Sequence, residues 1–436
     1  MFRRVCTDSR QVQAGDLFFA IKGERFDGHD FLAEVEAKGA VAVVILRACR
    51  PASLPRCAVI LVEEVRRAFG RLGAAHRKEF NLPVVAVGGS NGKTTTKELV
   101  AAVLREQFPT LWSEASFNND IGVPATLLRL EKSHRAAVLE VGSNHPGELA
   151  PLVKLVQPRY GVITTVGREH LEFFGDVAGV ADEEGWLAEL LPADGKLFVN
   201  GDNEWSEQLA RRTHATVVRV GMGEGNAWRS REVRMEAQGT TFQVDAPIRE
   251  LSGEYQINLF GRHQVVNALF AIAVGEELGL GRAVIQRGLA ECKPARMRLQ
   301  LWEANGVRVL DDTYNANADS MLAALQVLKD LPCKGRRVAV LGDMAELGAQ
   351  SEAAHAEVGR RAAETGVSQL FAVGKMASVM AAGARAAGLN RVIELAGVDV
   401  VCGALKTFLK PGDVVLLKAS RAMRLERVAE ILRLEK

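Results

Sequence analysis

The stretch Val84-Val85-Ala86-Val87-Gly88-Gly89-Ser90-Asn91-Gly92-Lys93-Thr94-Thr95 decides the fold of the central part of the chain. Its apolar beginning predicts a buried strand, and apolar residues recur at helical spacing after it. A glycine-rich loop between a strand and a helix places consecutive backbone N–H groups around phosphate oxygens. Lys93 can reach the terminal phosphates, and the Thr94 hydroxyl can ligate Mg²⁺. An ordinary glycine-rich turn is the alternative, but strand, loop and helix together predict a nucleotide site.

Outward from this loop, apolar strands alternate with amphipathic helices, which is the pattern of a parallel sheet covered on both faces. The pattern becomes strand-rich between residues 217 and 259 and returns to strand–helix alternation beyond residue 295. We therefore predict an α/β protein of three domains. They are a small α/β domain at residues 1–81, a central P-loop ATPase-like parallel-sheet domain at 82–295, and a C-terminal Rossmann-like domain at 296–436.

The bulk properties exclude several classes of protein. The 436 residues are 48% hydrophobic and 25% charged, as in a folded globular protein. A formal net charge of +2 argues against a nucleic-acid-binding protein, which usually has a concentrated basic face. We expect neither membrane insertion nor secretion, because long apolar runs and a signal-like N-terminus are lacking. The six cysteines lack CxxC spacing, which favours reduced thiols in the cytoplasm.

Two candidate metal ligands lie where predicted strands end. Glu140 closes one apolar run, and His170 follows another. Because ligands of open α/β sheets bind at the carboxyl ends of the strands, both side chains can face the phosphate loop. A structural or solvated role is as common for such residues, so a role in binding Mg²⁺ stays open on position alone.

Polar residues also follow a strand in the last domain, in the run DDTYNAN at residues 311–317. Their side chains could hold a ribose and a base, or could cap the next helix, and the residues by themselves favour the cap. Arg296, in the preceding linker, could be a surface residue or a clamp on a transferred phosphate.

Longer motifs resemble the Mur ligase family. They are, with the phosphate loop, SFNNDIGVP at residues 116–124, EVGSNH at 140–145, HLE at 170–172, DDTYNAN at 311–317 and LGDMAELG at 341–348. Within that family the last two runs are most similar to the MurF type, which adds D-alanyl-D-alanine. The N-terminal runs DSR at 8–10, GDLF at 15–18 and DGHD at 27–30 resemble the UDP-binding unit of the MurE and MurF types. The likeness covers essentially the whole chain in the right order.

The resemblance implies a cytoplasmic ATP-dependent ligase of peptidoglycan precursor synthesis, with two Mg²⁺ sites. Its substrates would be UDP-N-acetylmuramoyl-tripeptide and D-alanyl-D-alanine, and a monomer is expected. The implied ATP-binding residues are Gly89, Ser90, Asn91, Gly92, Lys93, Thr94, Thr95, Asn267, Arg296, Asp312, Tyr314 and Asn315. The implied UDP-substrate residues are Ser9, Arg10, Asp27, Gly28, His29, Asn118, Asn119, Asn144 and His145. On the acceptor side the resemblance implies Asn317, Asp343, Glu346 and Ser420. Thr94 and Glu140 would bind one Mg²⁺ and His170 a second, so that Lys93, Glu140 and His170 are the implied catalytic residues.

One departure from the family bears on the chemistry. The family usually has a lysine, carbamylated in the folded enzyme, in the helix after His170, and Glu184 takes its place here. Since glutamate already carries an anion, we predict that Glu184 acts as a fourth catalytic residue and supplies the charge beside the second Mg²⁺. The alternative is a solvated Glu184 and a lost function. Trp186, where the family has a glutamate, adds to that alternative.

The predicted reaction begins with transfer of the γ-phosphoryl group of ATP to the tripeptide carboxylate. The amine of D-alanyl-D-alanine then attacks the acyl phosphate. A different ligase of the same family is one alternative. The first eighty residues argue against one that adds glutamate to folate, and the LGDMAELG run argues against the Mur-type ligase that adds a diamino acid. A nucleotide-binding pseudo-enzyme with a regulatory role is the other alternative, and the departures at Glu184 and Trp186 are its only support.

Overall fold

The computed structural model describes residues 2–23, 25–50 and 57–434, and each predicted domain contains one β-sheet. The sheets have four, nine and six strands. The fold prediction of an α/β chain with parallel-sheet domains is confirmed. The exact boundaries at residues 81/82 and 295/296 stay predictions.

The first domain is a fully parallel sheet with two helices. Its strands lie in chain order and are β1 (Arg4–Cys6), β2 (Asp16–Phe19), β3 (Ala42–Leu46) and β4 (Ala58–Val62). Its helices are α1 (Leu32–Ala37) and α2 (Val65–Arg77), with 3₁₀ turns at Ser9–Gln11, Gly28–Phe31 and Arg47–Cys49. Phe18, Val43 and Ile45 form its core on one face of the sheet. The other face packs α2 against residues of the central domain, including Ile121 and Ala125.

The central sheet has the order β13-β12-β11-β10-β9-β8-β5-β7-β6. Its strands are β5 (Val84–Gly88), β6 (Thr110–Trp112), β7 (Ala136–Glu140), β8 (Tyr160–Ile163), β9 (Lys196–Asn200), β10 (Thr216–Gly221), β11 (Trp228–Glu236), β12 (Gly239–Asp245) and β13 (Gly253–Ile257). Its helices are α3 (Lys93–Arg105), α4 (Gly122–Leu127), α5 (Leu149–Val156), α6 (Leu171–Phe174), α7 (Val177–Glu189), α8 (Ser206–Arg211), α9 (Arg262–Glu277) and α10 (Arg282–Glu291). A 3₁₀ turn spans Arg249–Leu251. Pairing is parallel from β6 to β11 and antiparallel from β11 to β13, in the strand-rich stretch.

Helices cover both faces of this sheet, as the apolar strands predict. In β5, Val84 and Ala86 pack into one core, whereas Val85 and Val87 pack into the core beneath α3 and α9. Because both faces are buried, the strands read as continuous apolar runs. The phosphate loop leaves the sheet at the carboxyl end of β5.

The C-terminal sheet has the order β14-β15-β19-β16-β17-β18, in which only β14 is antiparallel to its neighbour. The strands are β14 (Gln300–Ala304), β15 (Val307–Asp311), β16 (Arg337–Gly342), β17 (Gln369–Val373), β18 (Val392–Leu395) and β19 (Val414–Lys418). The helices are α11 (Ala318–Asp330), α12 (Ser351–Glu364), α13 (Ala377–Ala386), α14 (Val398–Phe408) and α15 (Glu426–Leu434). Two 3₁₀ turns span Gly348–Gln350 and Arg421–Met423. The described part of the chain holds no helix with the length and apolarity to cross a membrane.

Candidate active site

The phosphate loop lies between the end of β5 and the first residue of α3, where the sequence predicts it. Gly89 and Gly92 have φ angles of +109° and +89°, which side chains other than hydrogen rarely permit. The loop is tied to the segment after β8: the Ser90 N–H donates to the Thr165 carbonyl (2.7 Å), and the Thr164 hydroxyl donates to the Asn91 carbonyl (2.6 Å). These hydrogen bonds hold the loop against the segment that follows β8. Thr95, in the first turn of α3, completes the set predicted to bind ATP.

Lys93 is folded back onto its own loop. Its ammonium donates to the carbonyls of Gly89 and Ser90 and lies 3.4 Å from the Glu169 carboxylate. Burial lowers the pKa of Lys93, but the carboxylates of Glu169, Glu184 and Glu140 outweigh it, so that its pKa lies above the ordinary value. The lysine is thus a charged donor already placed at the loop.

Thr94 and Glu140 fit a divalent cation. Both are at most 4% exposed, and within the described residues the Thr94 Oγ1 and Glu140 Oε2 atoms have no hydrogen-bond partner. The other Glu140 oxygen accepts from the Asn118 amide (2.9 Å), which fixes the carboxylate. A buried oxygen without a donor is costly unless something else binds it, and Mg²⁺ takes such oxygens together with phosphates and waters. A loop hydroxyl and a carboxylate are protein ligands that Mg²⁺ commonly takes beside phosphates and waters.

His170 contacts the C-terminal domain. It begins α6 in a left-handed conformation (φ +50°), and its Nδ1 hydrogen-bonds the Glu346 carboxylate of the C-terminal domain. That hydrogen bond lowers the pKa of Glu346. Among the described residues, no group of three or more His, Cys, Asp and Glu side chains is close enough to hold a metal ion. The predicted second Mg²⁺ site at His170 stays a prediction.

Glu184 lies beneath the phosphate loop, on α7. It is 2% exposed, and its Oε2 accepts from the Gly89 N–H (2.7 Å). Burial raises the pKa of Glu184 to about 8, against the opposing effect of Lys93. The solvated alternative for Glu184 is wrong, since the carboxyl is buried. Trp186, two residues further along α7, packs against Arg212. The guanidinium carbon of Arg212 lies 5.4 Å from the centre of the Trp186 ring.

Glu169 is a site residue that the sequence reasoning missed. It is 8% exposed and directly precedes His170, and its carboxylate faces Lys93. Burial raises the pKa of Glu169, which Lys93 and His170 only partly offset. Its position past the end of β8 was the available signal, and the same reasoning that selected His170 applies to it.

The residues predicted to meet the base, ribose and transferred phosphate are only partly brought together. Asn267 faces the loop, since a Cβ on Gly92 would lie 2.7 Å from its Oδ1. Asp312 accepts a buried hydrogen bond from Lys418 (2.6 Å). The hydroxyl of Tyr314 hydrogen-bonds Ser116, and Asn315 accepts from Lys418 and the Arg421 N–H. Arg296 is 70% exposed and paired with Glu430 (3.2 Å), so the structure leaves it at the surface.

A cavity of about 500 Å³ lies where the first and central domains meet. It is lined by Thr7, Ile21, Gly23, Arg25, Phe26 and Ile121. These residues are neighbours in sequence of the predicted Ser9, Arg10, Asp27 and Gly28. Phe26 is 72% exposed, which leaves an aromatic face at the rim for a ligand.

Several predicted substrate residues have partners within the protein. His29 is bonded to Asp27 (2.6 Å) and accepts from the Leu46 N–H (3.0 Å). Arg10 pairs with Asp8, Asn119 Oδ1 accepts from the Gly122 N–H, and Asn144 and His145 both contact Glu148. On the acceptor side, Asp343 binds two N–H groups of the 374–376 loop, Ser420 accepts from the Ala345 N–H (2.7 Å), and Asn317 caps α11. Their contacts with substrates stay predictions.

The chain matches three family models in sequence order. They are "Mur ligase family, catalytic domain" at residues 2–79, "Mur ligase middle domain" at residues 87–275 and "Mur ligase, glutamate ligase domain" at residues 297–421. Similar curated proteins include the UDP-N-acetylmuramoyl-tripeptide–D-alanyl-D-alanine ligases of Escherichia coli and Bacillus subtilis. The first is 38% identical over 98% of this chain and 93% of its own length, the second 35% identical over 98% and 92%.

Two solved MurF structures are similar to this chain over nearly its whole length. MurF from Acinetobacter baumannii superposes with a TM-score of 0.90 at 33% identity, covering 99% of this chain and 93% of its own. MurF ligase from Thermotoga maritima, in complex with ADP, superposes with a TM-score of 0.87 at 28% identity, covering 99% and 97%.

Proposed function

Because the chain belongs to the Mur ligase family, we propose that it is the ATP-dependent ligase that joins D-alanyl-D-alanine to UDP-N-acetylmuramoyl-tripeptide. The observation that carries this function is the match of relatives with that name to 98% of the chain. An ADP complex of a similar structure supports ATP as the nucleotide of the loop at residues 89–95.

The chemistry explains why a nucleotide is needed. A carboxylate is a poor electrophile, so the γ-phosphoryl group of ATP is first transferred to the terminal carboxylate of the tripeptide, and ADP leaves. The amine of D-alanyl-D-alanine then attacks the acyl carbon of this acyl phosphate. Inorganic phosphate leaves as the amide bond forms. One ATP is consumed for each amide bond.

Lys93 and the N–H groups of the loop offset the charge that collects on the phosphoryl oxygens during transfer. The carbonyls of Gly89 and Ser90 and the Glu169 carboxylate hold Lys93 until nucleotide arrives. Since Lys93 starts beside the loop, little reorganisation is needed to reach a phosphate.

We further propose that Thr94 and Glu140 hold one Mg²⁺, and that His170 contributes to a second. Mg²⁺, when bound, neutralises phosphate charge and orients the transferred group. The unpartnered buried oxygens of Thr94 and Glu140 support the first site. Asn118 keeps the Glu140 carboxylate oriented toward it.

We assign the UDP moiety to the 500 Å³ cavity between the first two domains, and the dipeptide to the C-terminal domain. Because ATP and the acceptor are held on different domains, closure of these domains would exclude water from the acyl phosphate.

We also propose a monomer in the cytoplasm, where the six free cysteines would stay reduced.

A phosphate-release assay tests the function. We expect release from ATP only when UDP-N-acetylmuramoyl-tripeptide and D-alanyl-D-alanine are both present. Lys93→Met removes the phosphate contact and is expected to slow release by roughly 100-fold or more, whereas Lys132→Met, at an exposed position, leaves the rate unchanged. ATP binding without release in the presence of both partners would instead indicate a regulator that lacks turnover.

A further inference from the structure

The C-terminal domain contacts the nucleotide side of the central domain through a set of polar pairs. Each pair joins a C-terminal residue to the phosphate loop or to a motif beside it. The pairs are Asn317–Asn91 (3.0 Å), Tyr314–Ser116, Glu346–His170, and Arg168 with Asp319 and Glu357.

Arg168 makes the most extensive of these contacts. Its Nε donates to Asp319 Oδ1 (2.8 Å) and its backbone N–H donates to Asp319 Oδ2 (2.8 Å). One terminal nitrogen donates to Glu357 Oε2 (2.6 Å). Asp319 lies in the first turn of α11 and Glu357 lies on α12, so a single guanidinium joins two helices of the C-terminal domain. Arg168 is 27% exposed, and charge-assisted hydrogen bonds of this kind are strong.

The backbone around Arg168 is bonded to the phosphate loop. The Gly167 N–H donates to Ser90 Oγ (2.9 Å), and the Asn91 N–H donates to Thr165 Oγ1 (3.2 Å). The residue after Arg168, Glu169, faces Lys93. A displacement of Arg168 therefore moves groups that touch the loop and its lysine.

We propose that Arg168 is a positioning residue that couples docking of the C-terminal domain to the placement of the phosphate loop and Lys93. It bonds Asp319 and Glu357 when the domains are together, and it touches no reacting atom. The inference rests on the proposed function, since it assigns the acceptor dipeptide to the C-terminal domain. Dipeptide and nucleotide then strengthen each other's binding by the same factor.

Arg168→Glu tests the coupling, because it places a carboxylate against two others. We expect the KM for D-alanyl-D-alanine to rise about tenfold or more. The factor by which the dipeptide tightens binding of a non-hydrolysable ATP analogue should fall toward one. Small-angle scattering with that analogue should show a larger radius of gyration than wild type. Adding Glu357→Arg restores an opposite-charge pair and should recover a substantial part of each change.

Arg219→Glu is the matched control, since Arg219 pairs with Glu207 (2.8 Å) inside the central domain. It makes the same charge change without touching the domain contact and should behave as wild type. Wild-type values in Arg168→Glu, or a defect that Glu357→Arg leaves untouched, would overturn the inference. Should Arg168→Glu not fold, Glu357→Gln on α12 tests the same contact, with a smaller expected change. A wild-type protein without phosphate release overturns the proposed function instead, and scattering still tests the contact.

Discussion

Glu184 is a carboxyl group held away from solvent beneath the phosphate loop, and its ionisation bears on stability. Its pKa in the folded protein is about 8, above the ordinary 4.5. The stability that this group contributes is therefore fully present below pH 4.5 and is lost as the pH rises through about 8. Glu184→Gln cannot ionise, and its side-chain oxygen can still accept from the Gly89 N–H. We expect the variant to be more stable than wild type at pH 8, by on the order of a few kcal/mol.

Denaturant unfolding at pH 5, 6.5 and 8 with a chelator present measures this difference. Glu204→Gln, at an exposed position, serves as the control and should follow wild type. A gap between wild type and Glu184→Gln that stays constant over this range would contradict a buried acid with a raised pKa.

For single residues, the sequence predicted which residues lie at the site better than it predicted the contacts that those residues make. The loop residues lie between β5 and α3, and Glu140 ends β7, as predicted, because strand ends fix these positions within a few residues. The hydrogen bond from Gly89 to Glu184 depends on how α7 packs against β5, which no spacing in the chain encodes. Glu169 was missed for a similar reason, since only the folded loop brings Lys93 to it.

The turn from β5 into α3 depends on Gly92 in two separate ways. Its φ of +89° disfavours any side chain, and a Cβ there would lie 2.7 Å from Asn267 Oδ1. Gly225 has a φ of +93°, yet a Cβ there would meet nothing within 4 Å. Alanine at either position costs about 1–2 kcal/mol of backbone strain. We expect Gly92→Ala to lose nucleotide affinity as well, measured by calorimetry with an ATP analogue, whereas Gly225→Ala binds normally.

Equal nucleotide affinity in the two alanine variants would show that the Asn267 side chain moves away from the added methyl group without harm to the nucleotide site. The expected pattern is a larger loss of stability in Gly92→Ala than in Gly225→Ala, together with a loss of nucleotide affinity in Gly92→Ala alone. The comparison separates the strain of the backbone from the crowding of the site.

Several strands in the middle of the sheets can be predicted closely from the sequence, whereas edge strands cannot. The apolar runs at residues 196–200, 307–311 and 414–418 predict strands with the bounds of β9, β15 and β19, because buried parallel strands are continuous apolar runs. The strands β14 and β18 were missed. Both lie at sheet edges and are mostly half-buried or exposed, so their sequences lack the apolar run that identifies a central strand.

At the scale of the whole molecule, the chain predicted three domains but not how they contact one another. Helix α2, which is rich in arginine, packs against the central domain so closely that a Cβ on Gly73 would lie 3.0 Å from Pro124 Cα. Arginine content alone cannot distinguish a solvated face from one that bonds a neighbouring domain.

Arg77, the last residue of α2, joins the first domain to the central one. Its guanidinium donates to the carbonyls of Val156 (3.0 Å) and Gln157 (3.3 Å), at the carboxyl end of α5, and to the Phe80 carbonyl (2.7 Å). Burial lowers the pKa of Arg77, and its accepting partners are uncharged carbonyls. Methionine would keep much of the apolar contact but would leave those carbonyls without a donor. Since buried acceptors without a partner cost about 1–3 kcal/mol, we expect Arg77→Met to destabilise the protein by that order.

The loss should appear first as separation of the two domains. In differential scanning calorimetry we expect Arg77→Met to broaden or split the unfolding transition of the first and central domains, because their shared packing is weakened. Arg71→Met, on the exposed side of the same helix, makes the same change of side chain and should leave the transition in place. A single unshifted transition in Arg77→Met would mean that apolar packing at Gly73 and Ile121 holds the two domains together without these hydrogen bonds.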